Sequence, residues 1–324
     1  MREADMFLIL IATFAIVLLL LPPTIGFAWR VGAVDVPKDW RRMHKKSVPR
    51  AGGLAMWIGF LLGCALFGVG NLFGGYLIGC GCVVFLAGMI DDIVPLSPWI
   101  KFFVQTVAAA VLAVKGMGVV GFAAVEAVFW ILLLTNAHNF IDGLDGLFCG
   151  CAAIEAGAVG VLLWTVGAFA SAQAALLLMS CCLAFRVFNR HPAILFAGDS
   201  GSGSVGFLLG ALSFRLLAFS GVRETLSTVL VFAYPITDLT AAVLRRVLRG
   251  KSPFSADRGH LHHRICDAGV DQVTCVRLLL LLTFGLCGLA VMIGAFSLYS
   301  AASAGCVIMA LVLMAMRRRI VGKY

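Results

Sequence analysis

The chain has 324 residues, of which 61% are hydrophobic and only 13% are charged, and its mean hydropathy is +1.02. Soluble proteins carry about 25% charged residues, so the composition excludes an ordinary soluble globular protein. Apolar runs recur along the chain, for example at 6–21, 225–248 and 278–296, and each is near the length of about 20 residues that crosses a bilayer as a helix. The sequence therefore predicts an all-α, polytopic membrane protein with one domain over residues 1–324.

About eleven transmembrane helices fit the hydropathy pattern, and an odd count puts the two termini on opposite sides. With these spans, 21 of the 25 Lys and Arg residues fall on one side, which the positive-inside rule makes cytoplasmic. We expect a periplasmic N-terminus, a cytoplasmic C-terminus and all chemistry on the cytoplasmic face, where most of the aspartates also lie. The predicted spans are residues 6–28, 51–69, 74–94, 98–115, 117–135, 148–166, 169–188, 202–220, 225–247, 274–296 and 298–316.

The first cytoplasmic segment is strongly basic and reads WRRMHKKSVPRAGG over residues 40–53. His44 and Arg50 lie in it. Taken alone, such a segment suits adhesion to anionic lipid as well as it suits a phosphate site.

Two adjacent acids, Asp91 and Asp92, close the third predicted span just before Pro95. Carboxylates at the C-terminal end of a helix oppose its dipole, and two neighbours repel each other. Two carboxylates at this position destabilise the end of the helix unless a cation lies nearby. This pattern favours a functional site over a simple helix end.

The segment NFIDGLDGL, residues 139–147, combines Asn139, Asp142 and Asp145 with apolar neighbours. If the segment is helical, the two aspartates share one face. An ordinary turn is the alternative, because Asn, Asp and Gly are common turn residues. The apolar neighbours indicate that the segment folds back on protein or membrane, where carboxylates need a cation or a hydrogen-bond donor.

A further acid, Asp199, precedes a Gly/Ser run in LFAGDSGSGSVGF, residues 195–207. A carboxylate suits a divalent cation, and backbone amides at a helix start suit phosphate. The pattern is not a Walker loop, and a plain linker is the alternative.

The longest cytoplasmic loop contains SPFSADRGHLHHRI, residues 252–265, with Arg258 and three histidines, His260, His262 and His263. The spacing is not that of a zinc protease. Arginines and histidines together suit phosphate recognition, and a solvated basic loop is the alternative.

Taken together, these segments indicate one kind of chemistry. Hard carboxylates select Mg²⁺ or Mn²⁺, and the surrounding basic residues select phosphates. The residues themselves therefore predict metal-assisted phosphoryl-group chemistry at the cytoplasmic membrane surface.

The same segments resemble, in order, the motifs of the polyprenyl-phosphate N-acetylhexosamine-1-phosphate transferases, glycosyltransferase family 4. The resemblance covers residues 40–265 and includes the span count. It implies that a UDP-sugar donates its phospho-sugar to undecaprenyl phosphate with Mg²⁺ (or Mn²⁺) and releases UMP. The matching segments are RRMHKKSVPRAGG, GMIDDIVPLSPWIKFFVQ, NAHNFIDGLDGL, FNRHPAILFAGDSGSGSVGF and PITDLTAAVLRRVLRGKSPFSADRGHLHHRI.

The resemblance also implies roles for individual residues. Asp91, Asp92 and Asp199 would be catalytic, with Asp91 positioning or deprotonating the lipid phosphate. Asp199 and Asp92 would bind the metal, and His44 and Arg50 the lipid phosphate. The nucleotide and sugar would meet Asn139, Asp142, Asp145, Asn189, Phe196, Arg258, His260, His262 and His263.

The form His-x-His-His resembles the branch that uses UDP-GlcNAc to begin O-antigen, enterobacterial-antigen or teichoic-acid synthesis. A 6-deoxy UDP-N-acetylhexosamine or UDP-MurNAc-pentapeptide is the alternative donor. Direct attack by the lipid phosphate is favoured over an aspartyl intermediate. The resemblance also implies a multi-pass protein of the bacterial cytoplasmic membrane, with membrane lipid as a partner, a homodimer and no nucleic-acid partner.

Two other classes of protein deserve comparison. A cation-coupled transporter would use the acids inside predicted spans, Glu126, Glu155 and Asp238, but the outer face offers almost no acids to complete a pathway. A CDP-alcohol phosphotransferase would need a different aspartate motif, because Asp142 and Gly143 are followed here by Leu-Asp-Gly-Leu.

Overall fold

The structure is a computed structural model that describes residues 3–37, 46–218, 221–253 and 259–295. Within these ranges the chain is built almost entirely of helices, with one two-stranded antiparallel hairpin near the N-terminus. The elements are α1 (Glu3–Val31), β1 (Val34–Asp35), β2 (Val48–Pro49), α2 (Gly52–Phe67), a 3₁₀ turn (Leu72–Gly75), α3 (Tyr76–Ile93), α4 (Pro98–Val111), a π turn (Leu112–Gly116), α5 (Gly121–Ile141), α6 (Leu147–Thr165), α7 (Phe169–Asn189), α8 (Gly198–Leu217), α9 (Val222–Val231), α10 (Ala233–Leu248), α11 (Leu261–Asp267) and α12 (Gln272–Ala295).

The prediction of an all-α, polytopic membrane protein is confirmed. Seven helical segments in the described part of the chain are long and apolar enough to span a membrane, and α9 with α10 adds an eighth if this bent pair is one span. The predicted last span, 298–316, lies outside the described residues. The count of eleven and the orientation of the termini therefore stay predictions.

Helix α8 lies at the centre of the bundle. Every residue from Ser200 to Phe214 is buried, and the helix packs on α2, α3, α5 and α6. The backbones of α3 and α8 approach closely at Gly88, where a Cβ would lie 2.5 Å from the backbone nitrogen of Ser200. Only glycine leaves room for the two backbones to meet there, as is common where membrane helices pack tightly.

The start of α8 is tied to the end of the basic first segment. The amide of Phe196 donates to the Pro49 carbonyl at 2.8 Å, and the amides of Gly52 and Gly53 donate to the carbonyls of Phe196 and Ala197, both at 2.9 Å. These bonds place Arg50 beside the N-terminus of α8.

Three predicted boundaries were wrong in ways that affect the site. Helix α5 continues to Ile141, so Asn139 is helical and not in a loop. Helix α8 begins at Gly198, so the Gly/Ser run forms its first two turns. The predicted span 225–247 is broken near Phe232, where α9 and α10 meet at 72°. Helix α5 packs closely on α8, and such tertiary contacts are not reported by local hydropathy.

Candidate active site

The carboxylate of Asp92, at the end of α3, caps the N-terminus of α8. Its Oδ1 accepts the Asp199 amide at 2.8 Å, and its Oδ2 accepts the Ser200 amide at 3.1 Å and the Ser200 hydroxyl at 2.7 Å. Helix N-termini leave amides unsatisfied and favour negative charge. Asp92 therefore supplies from another helix the cap that Ala197, which precedes α8, does not provide.

This cap depends on a glycine at position 198. Gly198 has φ +73°, a conformation that L side chains rarely adopt, and a Cβ there would collide with the Asp92 carboxylate. The sequence Ala-Gly-Asp-Ser thus lets the α8 backbone close onto Asp92 and sets the position of Asp199.

Asp91 and Asp199 are joined by a lysine. The Lys101 ammonium, near the start of α4, lies 3.1 Å from Asp91 Oδ2 and 2.6 Å from Asp199 Oδ2. The other Asp91 oxygen accepts the Leu96 amide at 2.7 Å. The structure therefore brings together Asp91, Asp92 and Asp199, which the sequence placed in two separate segments.

Arg50 adds a second cation. Its guanidinium donates to the carbonyl oxygens of Asp91 (2.9 Å) and Asp92 (3.1 Å) and lies 3.8 Å from the Asp92 carboxylate. It thereby caps the C-terminal end of α3, where a cation is favourable. The predicted contact of Arg50 with a lipid phosphate stays a prediction, and His44 lies outside the described residues.

The segment 142–146 is a turn between α5 and α6, so of the two alternatives left open by the sequence the turn is the one that holds for Asp142 and Asp145. Asp142 lies close to Asp199 and Asp92. Burial and the repulsion from these carboxylates hold the pKa of Asp142 well above its usual range. On α5, the Asn139 amide donates to the Ser202 hydroxyl at 3.0 Å, which places Asn139 against the first turns of α8.

Asp145 points to a different group of residues. Its Oδ2 accepts the Ala193 amide at 3.1 Å and lies 2.8 Å from Nδ1 of His191. Asp145 therefore fastens the turn before α6 to the loop after α7.

Asn189 acts within the protein in this structure. It is 1% exposed. Its Oδ1 accepts the Gly146 amide at 3.0 Å, and its amide group donates to the Leu195 carbonyl at 3.0 Å. Asn189 thus positions the turn and the loop, and its predicted contact with uridine stays a prediction, as does that of Phe196, which is half-buried at the start of α8.

The histidines pack over the turn. Asp238 of α10 accepts the Leu261 amide at 2.7 Å and lies 2.9 Å from Nδ1 of His260. His260 and His262 stack with ring centroids 5.6 Å apart, and His263 packs on His262 at 4.3 Å. Arg258 lies outside the described residues.

Among the described residues, neither ring nitrogen of His262 has a hydrogen-bond partner, although the residue is 1% exposed. It packs on Gly143, where a Cβ would lie 2.7 Å from its Nε2. Burial and the neighbouring His263 lower the pKa of His262 to about 3, so the ring is neutral. A buried imidazole without partners beside the aspartates is suited to meet a ligand.

The carboxylate oxygens of the site are of the chemical type that binds a magnesium ion. Carboxylate oxygens are the ligands that Mg²⁺ prefers, and the aspartates outnumber the cations beside them. In the part of the chain that the structure describes, however, no three His, Cys, Asp or Glu side chains are arranged to hold a metal ion. Lys101 instead bridges Asp91 and Asp199, and Asp92 is occupied by α8. Of these three carboxylates only that of Asp199 lines the neighbouring cavity, so Asp199 is the one that an incoming metal ion would meet, in place of Lys101.

Asp199 opens on a cavity of about 550 Å³ between α3, α4, α5, α8 and α10. Asp199 lines it together with the charged or polar side chains of Lys101, Gln105, Asn136, Asn139 and Arg246, and most of the remaining wall is apolar. The apolar part includes Phe102, Phe129, Leu132, Leu133 and Leu239. A ligand with a charged head and an apolar body matches this division.

Sequence reasoning missed Lys101, His191 and Arg246. Lys101 was counted only as a basic residue of a short loop, although it is the cation that the adjacent acids Asp91 and Asp92 required. Arg246 of α10 donates to the Pro253 carbonyl at 2.6 Å and lies over the Phe140 ring at 5.1 Å. No spacing in the sequence links these residues, since they meet only through tertiary contacts.

The fold and the site together define a membrane-embedded enzyme whose charged groups meet at the mouth of an apolar cavity. The model of glycosyl transferase family 4 matches residues 75–217, which contain most of this site. A protein of Bacillus subtilis named probable undecaprenyl-phosphate N-acetylglucosaminyl 1-phosphate transferase is 32% identical over 85% of this chain and 81% of its own length.

Two further relatives agree. A decaprenyl-phosphate N-acetylglucosaminephosphotransferase of Mycolicibacterium smegmatis is 34% identical over 78% of this chain and 73% of its own. An undecaprenyl-phosphate alpha-N-acetylglucosaminyl 1-phosphate transferase of Escherichia coli K12 is 28% identical over 75% and 71%. The chain belongs to glycosyl transferase family 4, as its motifs predicted.

Proposed function

We propose that this protein transfers N-acetylglucosamine 1-phosphate from UDP-GlcNAc to undecaprenyl phosphate and releases UMP. The observation that carries the proposal is the group formed by Asp91, Lys101 and Asp199 at the mouth of the largely apolar cavity. The names of the three relatives support the same transferred group and a polyprenyl phosphate acceptor.

The acceptor fits the cavity by its chemistry. A polyprenyl phosphate has one anionic head and a long apolar chain. Its phosphate would meet Lys101 and its chain would lie along the wall formed by α4 and α5, where Phe102 and Phe129 line the cavity.

The donor would lie over the turn that joins α5 and α6. Asp142, Gly143 and the neutral His262 form one surface there, with Asp199 beside them. His260 and His263 flank His262 and would contact the diphosphate or the sugar. Asp145, Asn189 and Phe196 would shape the nucleotide side.

A magnesium ion bound at Asp199 would neutralise charge on the diphosphate and make UMP a better leaving group. The protein groups position the reactants. Asp199 would hold this ion, Lys101 would hold the acceptor phosphate, and Asp91 would accept or direct its proton. The acceptor oxygen attacks the phosphorus that bears the sugar, and the bond to UMP breaks.

Further features of the proposal rest on the basic residues and on the family. The active site would face the cytoplasm of a bacterial cell, because most Lys and Arg residues lie on that side of the predicted spans. The product would begin a cell-envelope glycan. A homodimer is part of the same proposal.

The test is a transfer assay with purified protein, undecaprenyl phosphate, Mg²⁺ and radiolabelled UDP-GlcNAc. We expect lipid-linked label and released UMP in equal amounts, both lost with EDTA and restored by added Mg²⁺. If only another UDP-N-acetylhexosamine reacts, the choice of sugar is wrong. If no UDP-sugar reacts with any polyprenyl phosphate, the proposed reaction is wrong.

A further inference from the structure

A second cavity, of about 540 Å³, lies between the end of α7, the loop after it and the start of α12. None of its lining residues lines the cavity at the aspartates. The cavity is basic, because Arg186, Arg190, His191 and Arg277 all line it.

Its arginines lack a counter-charge within the part of the chain that the structure describes. The single acid in the lining, Asp145, is already occupied by His191 and the Ala193 amide. No hydrogen bond or ion pair links the side chain of Arg186, Arg190 or Arg277 to a described residue. Three guanidinium groups around one cavity repel each other, and an anion between them would relieve this repulsion.

Arg186 strengthens the case for a ligand. Its Nε is buried without a hydrogen-bond partner, and it crosses α6 at Gly150, where a Cβ would lie 3.1 Å from Nε. A buried donor without a partner is costly. The absence of a side chain at Gly150 lets this guanidinium reach the cavity from within the bundle.

The surroundings indicate where the anion comes from. The helices that form the cavity carry large apolar side chains on their outer faces, with exposed fractions of 43% for Leu183, 44% for Val187 and 66% for Leu281. Such faces contact acyl chains in a bilayer. The cavity therefore lies where a lipid could place its headgroup among the arginines and its chains along α7 and α12.

We propose that this basic cavity binds the phosphate group of an anionic phospholipid. Basic pockets between transmembrane helices are suited to such headgroups. The cavity shares no residue with the one that would bind the acceptor. Of the residues that the proposed function assigns to the nucleotide, Asp145 lines it, and the variants below leave Asp145 in place. The Asp145–His191 contact places it directly behind the turn that carries Asp142.

The test is native mass spectrometry of the full chain in nonionic detergent, titrated with dioleoylphosphatidylglycerol or dioleoylphosphatidylcholine. The variant Arg190→Gln/Arg277→Gln changes two exposed residues and keeps Arg186. The control is Arg249→Gln, an exposed arginine at the end of α10. Size-exclusion chromatography verifies folding.

We expect phosphatidylglycerol to bind the wild type more tightly than phosphatidylcholine. Each arginine removed should weaken its binding about fivefold, the equivalent of about 1 kcal/mol per basic residue, so the double variant should lose about 25-fold and Arg249→Gln should lose nothing.

Equal binding of the two lipids, or equal binding by the wild type and the double variant, would overturn the proposal. A third titration uses inorganic phosphate alone, with thermal unfolding as the readout. If phosphate raises the melting temperature in an arginine-dependent way and neither lipid binds selectively, the lipid as the source of the anion is refuted.

Discussion

Two regions of this protein bury carboxylates, and they do so in opposite ways. In the core, Glu155 of α6 lies 2.6 Å from Nε2 of His138 on α5, and both side chains are fully inaccessible to solvent. Nδ1 of His138 lies 2.8 Å from the Leu134 carbonyl. This is one acid with one histidine partner, enclosed between two helices, and no cavity described above reaches it.

At the end of α3 the arrangement is different. Asp91, Asp92, Asp142 and Asp199 lie together with Lys101 and Arg50, so acids outnumber cations. This group opens on the larger cavity.

The difference separates a structural acid from a functional one. Glu155 meets His138 through one oxygen, and among the described residues its other oxygen is buried without a hydrogen-bond partner, away from any cavity described above. A group of like charges at a cavity is instead poised for a ligand. The transporter hypothesis treated Glu155 and Asp238 as pathway acids. In this structure each lies within hydrogen-bonding distance of a histidine, and Glu126 lies exposed on α5.

The largest expected effect is the loss of transfer in Asp199→Asn. The substitution keeps the shape but removes the carboxylate that meets Lys101 and is best placed to bind a metal. We expect the rate to fall by about 10²–10³-fold or more, the scale on which removing one charge-stabilising group acts. The melting temperature, measured in the same preparation, should change by only a few degrees. An active Asp199→Asn protein would contradict the assignment of this site.

The second expected effect is at Lys101. Lys101→Met leaves Asp91 and Asp199 facing each other without a cation, so we expect the transfer rate to fall by about 10²-fold. The Mg²⁺ concentration that gives half of the maximal rate should also change. The measurement is the rate against Mg²⁺ concentration. The control is Lys115→Met, which removes a lysine at the other end of the α4 segment. Equal transfer rates in the two variants would show that Lys101 has no specific role in transfer.

Substitution in the pair Glu155–His138 should affect stability rather than transfer. Glu155→Gln removes the charge that faces His138, and breaking a buried pair costs about 3–5 kcal/mol. We therefore expect a clear loss of thermal stability with the transfer rate per folded molecule nearly unchanged.

The double variant His138→Phe/Glu155→Leu removes both polar partners and should recover part of that stability. A selective loss of activity in Glu155→Gln, at unchanged stability, would place this pair in the mechanism.

The smallest expected effect is on the pH dependence of stability. The pKa of His262 is about 3 in the folded protein, below the usual value of about 6.5. The unfolded chain therefore binds a proton that the folded chain does not, and stability falls as the pH drops below about 6.5. At pH 5 the loss from this residue is about 2 kcal/mol by linkage.

Thermal unfolding between pH 7.5 and 5 measures this effect. His262→Phe should show a smaller fall over this range, whatever its stability at pH 7.5, because the comparison is made within each protein. An equal fall in both proteins would mean that His262 is protonated in the folded state.

The sequence predicted the segments of the site better than their geometry. Hydropathy correctly indicated a polytopic helical protein, and isolated charges in apolar surroundings marked Asp91, Asp92, Asp142 and Asp199. The sequence left helix and turn open at Asp142 and Asp145, because a helical continuation and a turn share the same residue types there. Packing against Asn189 and His262 settled that choice.

The sequence by itself determined that this chain is a membrane protein of glycosyl transferase family 4 with clustered acids, because periodicity, composition and motif order are local properties of the chain. Tertiary structure alone decided that Asp92 caps α8, that Lys101 bridges Asp91 and Asp199, and that Arg186 reaches a second cavity with Arg277. These residues lie far apart in sequence. Their contacts are set by how closely the helices pack, and that closeness depends on glycines such as Gly88 and Gly198, whose effect is visible only when the facing backbone is known.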